Sequence, residues 1–395
     1  MEGKMGFGTK AIHAGKMKDK QYGSLTMPIY QTSTYEFANC EQGGNRFAGS
    51  EDGFIYSRLG NPTNMSLENK LAALEGAEAS VSFSSGMGAI AATVWTICKA
   101  GDHIVADSTL YGGTFSLLSQ GVTKYGVEVT LVDLSDAKAL KAELKENTVM
   151  VYVETPANPN MKIIDLEEVA TVTHTYNKNI KVVVDNTFAT PYLQRPIELG
   201  CDVAIHSATK YLNGHGDVIA GAVCGKAELI REIRLFGLAT ATGSVLGAFE
   251  AYLILRGLKT LELRMQRHCA SATILAEFLN NHPKITKVYF PGLSDHPNHE
   301  IAKKQMADFG GMISFEVSSK ADGIKLLDNL ELCTLAVSLG DAETLVEHPA
   351  SMTHATYSPE ELAESGIPEG LVRLAVGLEN VEDIIADLEK GLALL

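Results

Sequence analysis

The chain has 395 residues, more than one ordinary core accommodates, so it divides into two or three domains and can bury a large apolar interior. Apolar residues make up 45% and charged residues 21%, which excludes collagen-like, disordered and disulfide-scaffold classes. Lys and Arg number 33 against 48 Asp and Glu, and the resulting charge of −15 argues against nucleic acid or an anionic membrane as a bulk partner.

Residues 1–60 carry little periodicity and include the extended-looking stretch MPIYQTSTYEF, so they read as an extended N-terminal arm. The start, MEGKMGFGTKAIHAG, lacks the apolar run of a secretion signal. Cys40, Cys98, Cys201, Cys224, Cys269 and Cys333 are scattered without a C-x-x-C pair. That spacing fits neither a disulfide framework nor zinc, and it fits a reducing cytoplasm. No charged residue occurs between Glu78 and Lys99, but six Ser or Thr and two Gly within that stretch speak against a membrane helix.

From residue 61 the texture changes. NPTNMSLENKLAALEG opens with a turn, places Met65, Leu67, Leu71 and Leu74 near helical spacing, and ends at Gly76. The segments ASVSF, HIVAD, VEVTLVD, VMVYVE, KVVVD and VAIH follow, short and rich in Val and Ile, with room for a helix or crossover between them. That rhythm predicts an α/β fold, a mainly parallel sheet with helices on both faces, over residues 61–255. Beyond 255 longer helices such as LELRMQRHCASATILAEFLNNH alternate with the isolated strands KVYF and GMISFEV, which predicts a smaller α/β domain over 256–395. The closing NVEDIIADLEKGLALL reads as a helix with Asn380 as its cap and an apolar stripe of Ile384, Ile385 and Leu388.

Ligands of open α/β sheets sit at the carboxyl ends of the strands, so the residues just after each strand come first. Ser84-Ser85-Gly86-Met87-Gly88 joins ASVSF to a predicted helix, and small residues at a helix start free N–H groups for a phosphate, though a plain tight turn explains them too. Asp185 ends KVVVD; a buried acid there calls for a cation or serves only to cap Asn186-Thr187. His206-Ser207-Ala208-Thr209-Lys210 offers two hydroxyls and a lysine that partial burial would turn toward nucleophilic amine chemistry. Phosphate donors, an acid for a pyridine nitrogen and a Schiff-base lysine on one sheet together describe a pyridoxal 5'-phosphate site. Arg373, flanked by apolar residues in LVRLAV, reads as a carboxylate clamp or a structural ion pair, and His206 and His215 read as structural.

SATKYLNGHGDV, ETPANPN, VVVDNTF, YSRLGNPT, TLYGGT and VRLAVGLENVEDII resemble the Cys/Met-metabolism family of pyridoxal phosphate enzymes, which includes the cystathionine and methionine γ-lyases, and HPASMTHATYS resembles its methionine-cleaving members. The resemblance runs from about residue 8 to the end and implies the type I fold of pyridoxal phosphate enzymes. It implies that Lys210 anchors the cofactor and later moves protons, that Asp185 pairs with the pyridine nitrogen, and that Ser85, Gly86, Met87, Ser207 and Thr209 hold the phosphate. Tyr111 is expected on the ring face and Asn158 near the ring hydroxyl and substrate carboxylate. Tyr56 and Arg58 are expected to reach the phosphate of a neighbouring subunit, making the arm part of a shared active site in a dimer, paired into a tetramer. Arg373 and Ser338 are expected at the substrate carboxylate.

What the resemblance implies chemically is γ-elimination of a small sulfur amino acid, L-methionine giving methanethiol, 2-oxobutyrate and ammonia, with Tyr111 as acid for the departing thiolate. Members that cleave methionine usually have cysteine where this chain has Gly113, and Lys-Asp in the segment containing Ala239-Thr240. Members that cleave cystathionine by γ-elimination usually have glutamate where this chain has Val337. An apolar side chain there suits a thioether methyl better than a charged distal end. Homocysteine desulfhydrase, cystathionine γ-lyase and an O-acetylhomoserine sulfhydrylase-type activity are the alternatives.

Overall fold

The computed structural model of the chain describes residues 5–353, 355, 362 and 366–395. The expected arm is not simply extended: two helices, α1 (Phe7–His13) and α2 (Cys40–Ala48), lie within it. Asn39 caps α2 by accepting from Gln42 N–H at 2.8 Å. α1 is held by a long-range device that its own composition does not announce. Lys70 reaches from the next helix to donate to the carbonyls of Ala11 at 2.7 Å and Ile12 at 3.2 Å, satisfying acceptors at a helix end, and its burial lowers the amine to about 8.

That next helix, α3 (Pro62–Glu75), forms where its pattern predicts, with Asn61 capping Thr63 N–H, Pro62 in the first turn and left-handed Gly76 at the end. The main sheet has seven strands: β1 (Ala79–Phe83), β2 (His103–Asp107), β3 (Glu128–Val132), β4 (Thr148–Glu154), β5 (Lys181–Asp185), β6 (Val203–His206) and β7 (Gly221–Gly225). Their order is β1-β7-β6-β5-β4-β2-β3. β7 runs antiparallel to both neighbours, and the remaining pairs are parallel. β2 is buried throughout, and β4 and β5 nearly so, because helices cover both faces, and this is why they read as unbroken apolar runs rather than alternating ones.

β7 lacked a strand signal, since GAVCG is short and glycine-bounded. Its first glycine is required by a close approach: a Cβ on Gly221 would lie 2.2 Å from the carbonyl oxygen of Ser85. The strand therefore packs directly under the start of α4 (Gly86–Ile97), which Ser85 caps by accepting from Gly88 N–H at 2.9 Å.

The carboxyl-terminal part carries a second sheet of β8 (Lys287–Tyr289), β9 (Met312–Glu316), β10 (Thr334–Leu335), β11 (Leu345–Glu347) and β12 (Leu371–Ala375), in the order β10-β11-β12-β9-β8. Helices Leu261–Asn280 and Val381–Leu392 pack on it through Leu275, Leu279, Ile384 and Leu388, which meet Phe315 and Leu374. Asn380 stands at the start of the last helix but its side chain makes no capping bond; its Oδ1 instead accepts from Arg267 at 3.4 Å, a tertiary partner that competes with the local one. The expected division at 255/256 falls inside helix Ala248–Leu258. No helix among the described residues is long and apolar enough to cross a membrane.

Candidate active site

A cavity of about 720 Å³ opens at the carboxyl ends of the parallel strands and is closed from the far side by residues of the second sheet region. Ser85, Gly86, Met87, Tyr111, Asn158, Asp185, Ser207, Thr209, Lys210, Ser338 and Arg373 all line it. Tyr56 and Arg58 do not. Arg58 donates to the carbonyl of Ala239 at 2.6 Å and lies over the ring of Tyr56, 5.7 Å from its centroid.

The start of α4 and the segment after β6 converge closely. A Cβ on Gly86 would stand 2.9 Å from that of Ser207, so only a glycine leaves this cradle open. As the first two residues of the helix, Gly86 and Met87 carry N–H groups beyond the reach of intrahelical acceptors. They face the same cavity as Ser207 and Thr209, and helix dipole and hydroxyls together suit a phosphate. Thr209 Oγ1 also accepts from Ala220 N–H at 2.9 Å, which fixes its rotamer from β7's leading edge.

Asp185 ends β5, buried. Its Oδ1 accepts from Thr187 N–H at 3.1 Å and Oγ1 at 2.5 Å, so the local capping role is real. Both bonds fall on one oxygen, leaving Oδ2 for a ligand. Burial pushes this carboxyl up, and a cationic partner in the cavity would reverse that, which is what a protonated pyridine nitrogen would supply. Beside it in register stands Glu154, the last residue of β4, also buried and pushed up to about 8 by desolvation and by Asp185. Behind the sheet His206 is fully buried against Glu75 Oε1, and His215 donates to the carbonyl of Asn213 at 2.7 Å, so both histidines have structural partners.

Lys210 donates to Ser338 Oγ at 2.6 Å, and burial, helped by the nearby Arg373 charge, lowers its amine. Ser338 holds a positive φ of 95°, costly for a residue with a side chain, and the surrounding contacts over-determine it. Arg373, on β12, donates to Asn158 Oδ1 at 2.9 Å and the Ser338 carbonyl at 2.9 Å, and pairs with Glu347 at 3.2 Å across the β11–β12 register. Its Nε and the second oxygen of Glu347 have no partner among the described residues. A structural ion pair and a buried donor without a partner among the described residues thus belong to one guanidinium, whose residue lines the cavity and is suited to a carboxylate ligand.

Sequence reasoning missed Glu154 and Glu347. The first was discoverable: VMVYVE runs from apolar residues into a carboxylate just as KVVVD does. The second was not, since its partner Arg373 lies 26 residues away and only the sheet register joins them. Val337 lines the cavity and is 55% exposed to it and to solvent. Ala239 and Thr240 lie outside the lining, in the segment Ile233–Thr242. The HPASMTHATYS stretch falls partly outside the described residues, at 354 and 356–358.

Gly113 lines the cavity, and a Cβ there would meet Tyr111 Cε1 at 2.7 Å and Met87 Sδ at 2.9 Å. The absent side chain therefore lets the Tyr111 ring lie where it does. Gly113→Cys is expected to displace that ring at little stability cost, because Tyr111 is 48% exposed and Met87 is flexible. The ratio of turnover on methionine to that on homocysteine should change by at least about threefold. An unchanged ratio would show that the ring's place does not govern substrate choice.

The sequence model of a family described as Cys/Met metabolism PLP-dependent enzyme matches residues 8–393. An L-methionine gamma-lyase of Fusobacterium nucleatum is 62% identical over 390 residues, 98% of each chain, and one of Porphyromonas gingivalis is 58% identical over 388 residues, 98% of this chain and 97% of that one. A cystathionine beta-lyase of Lactococcus lactis is 48% identical over 385 residues, 97% and 98% of the two chains. Among solved structures, cystathionine gamma-lyase from Lactobacillus plantarum complexed with L-serine superposes with a TM-score of 0.92 at 40% identity, covering 98% of this chain and 99% of that one.

Proposed function

The chain belongs to the Cys/Met metabolism PLP-dependent enzymes, and from that premise we propose that it catalyses γ-elimination of L-methionine to methanethiol, 2-oxobutyrate and ammonia. The observation that carries the reading is the convergence of Lys210, Asp185 and Arg373 on one cavity whose wall includes the apolar Val337. Relatives named L-methionine gamma-lyase at 62% and 58% identity support it.

In this reading Ser85, Gly86, Met87, Ser207 and Thr209 would hold the cofactor's phosphate, Asp185 would meet its ring nitrogen, Tyr111 would cover the ring face, and Lys210 would be the covalent anchor. Bound pyridoxal phosphate supplies an electron sink for charge that develops at the substrate's Cα. Arg373, with Ser338 and Asn158 beside it, binds and orients the substrate carboxylate. The Lys210 amine, lowered by burial, takes the Cα proton and redistributes it. Tyr111 delivers a proton to the departing sulfur. Val337 would face the thioether methyl, an apolar wall that offers a distal ammonium no hydrogen bond.

Tyr56 and Arg58 would complete the site of a second copy, because they stand apart from the cavity of their own chain, and two such dimers would pair into a tetramer. The exposed cation–π pair of Arg58 on Tyr56 supports this. Five of the six free cysteines are buried thiols, which supports a reducing, cytoplasmic setting.

Cleavage of cystathionine is the second reading, favoured by Gly113. Thiol release measured in parallel from methionine, homocysteine and cystathionine tests both. Methanethiol from methionine is expected to dominate, and its absence would overturn the proposal.

A further inference from the structure

Two carboxyl groups end adjacent central strands, in register, at the floor of the cavity. Asp185 has a function in the reading above. Glu154 has none, yet its side chain is buried at a cost that something must offset.

Its bonding shows what does so. Oε2 accepts from the backbone N–H of Tyr111 at 2.7 Å, and Oε1 accepts from the backbone N–H of Asn158 at 3.0 Å. One carboxyl group therefore ties two separate loops to the end of β4. Tyr111 begins the short helix Gly112–Ser116 with no side-chain cap of its own, and its ring is half exposed, so the place of the ring follows from where its backbone is pinned. Asn158 in turn accepts from Arg373 at 2.9 Å through Oδ1. The chain of contacts thus runs from a central strand, through Glu154, to the residue over the ring face on one side and to the carboxylate clamp on the other.

We infer that Glu154 is a positioning residue, its single carboxyl group setting the backbone of the stacking tyrosine and of the asparagine that braces Arg373. The inference rests on the amino-acid lyase reading, and deepens it, since both loops matter only if a ring and a carboxylate occupy the cavity. Glutamate suits the task where aspartate does not: the shorter side chain on β4 would fall short of both N–H groups. Glutamine offers one acceptor and turns its NH₂ against the other N–H, so it breaks one of the two ties while preserving volume.

The test uses the holoenzyme loaded with pyridoxal phosphate and two readouts that need no elimination. One is the visible circular dichroism of the bound cofactor, which reports the asymmetry imposed by Tyr111. The other is affinity for glycine, an amino acid with a carboxylate and nothing to eliminate, which reports the Asn158–Arg373 clamp. Glu154→Gln, which breaks one tie, is expected either to lower glycine affinity about tenfold, the worth of a misplaced charge-assisted bond, or to halve the dichroism roughly, according to which loop it releases, with the far-ultraviolet spectrum of the parent. If that variant fails to fold, Glu154→Asp, which falls short of both N–H groups, is expected to lower both readouts by those amounts. Dichroism and glycine affinity both within about twofold of the parent, whatever the change in melting temperature, would overturn the inference. So would failure of both variants to fold, since the carboxyl group would then serve the core rather than the loops. A parent enzyme that binds glycine but releases no thiol from methionine would sink the methionine reading alone and leave this one standing.

Discussion

Lys210→Ala is expected to give a folded protein that binds no cofactor covalently and releases thiol from methionine at least about 10³-fold more slowly than the parent. The fold should survive because the lysine's side chain has one hydrogen bond, to Ser338 Oγ, and its amine is already disfavoured by burial and by the Arg373 charge. Removing a desolvated cation beside another cation relieves repulsion instead of creating an orphan. Chemistry should not survive, since in the proposed reading the same amine serves as anchor and as base, and no other lysine among the described residues lines the cavity. Visible absorption of protein incubated with pyridoxal phosphate and a thiol assay check the two halves. Thiol release within about tenfold of the parent would remove Lys210 from the reaction.

Arg373→Leu should fail twice over. The guanidinium is buried, and it holds Glu347, Asn158 and the Ser338 carbonyl at once. Deleting one member of a buried pair strands the other, at about 3–5 kcal/mol, so the variant should unfold at markedly lower temperature. Substrate capture should fall as well, with KM for methionine up by about 100-fold or more as the carboxylate loses a charge-assisted partner. The two effects separate in the double variant with Glu347→Gln. Stability should largely return there, because no unpaired charge is left behind, while KM stays high. Recovery of KM along with stability would mean that Arg373 serves the fold alone.

The main sheet and its helices were legible because parallel strands covered on both faces leave unbroken runs of Val and Ile, and α3 and α4 carry their own caps. β7 was not legible: a strand bounded by glycines announces nothing until the Ser85 carbonyl is seen pressed against Gly221. The helix α1 likewise depends on Lys70, 59 residues away from the carbonyl it meets. Asn380 shows the reverse failure, a strong local capping signal overridden by Arg267 from another helix.

At the site, residue types and their places after strands were enough to single out the Ser85–Met87 turn, Asp185 and Lys210, since each stands within a few residues of a strand's end, whereas the convergence of Gly86 with Ser207 is tertiary. What they left open were the choices between paired readings: cap or ligand for Asp185, ion pair or clamp for Arg373. Tertiary structure shows the first of each pair and leaves room for the second: one oxygen of Asp185 is taken by Thr187 and one remains, and the Nη atoms of Arg373 are bonded within the protein while Nε has no partner among the described residues. The carboxyl groups of Glu154 and Glu347 belong wholly to that second level. Backbone N–H groups and guanidinium atoms brought from loops and strands distant in the chain give them their partners, and electrostatics over a few ångströms has no trace in sequence separation.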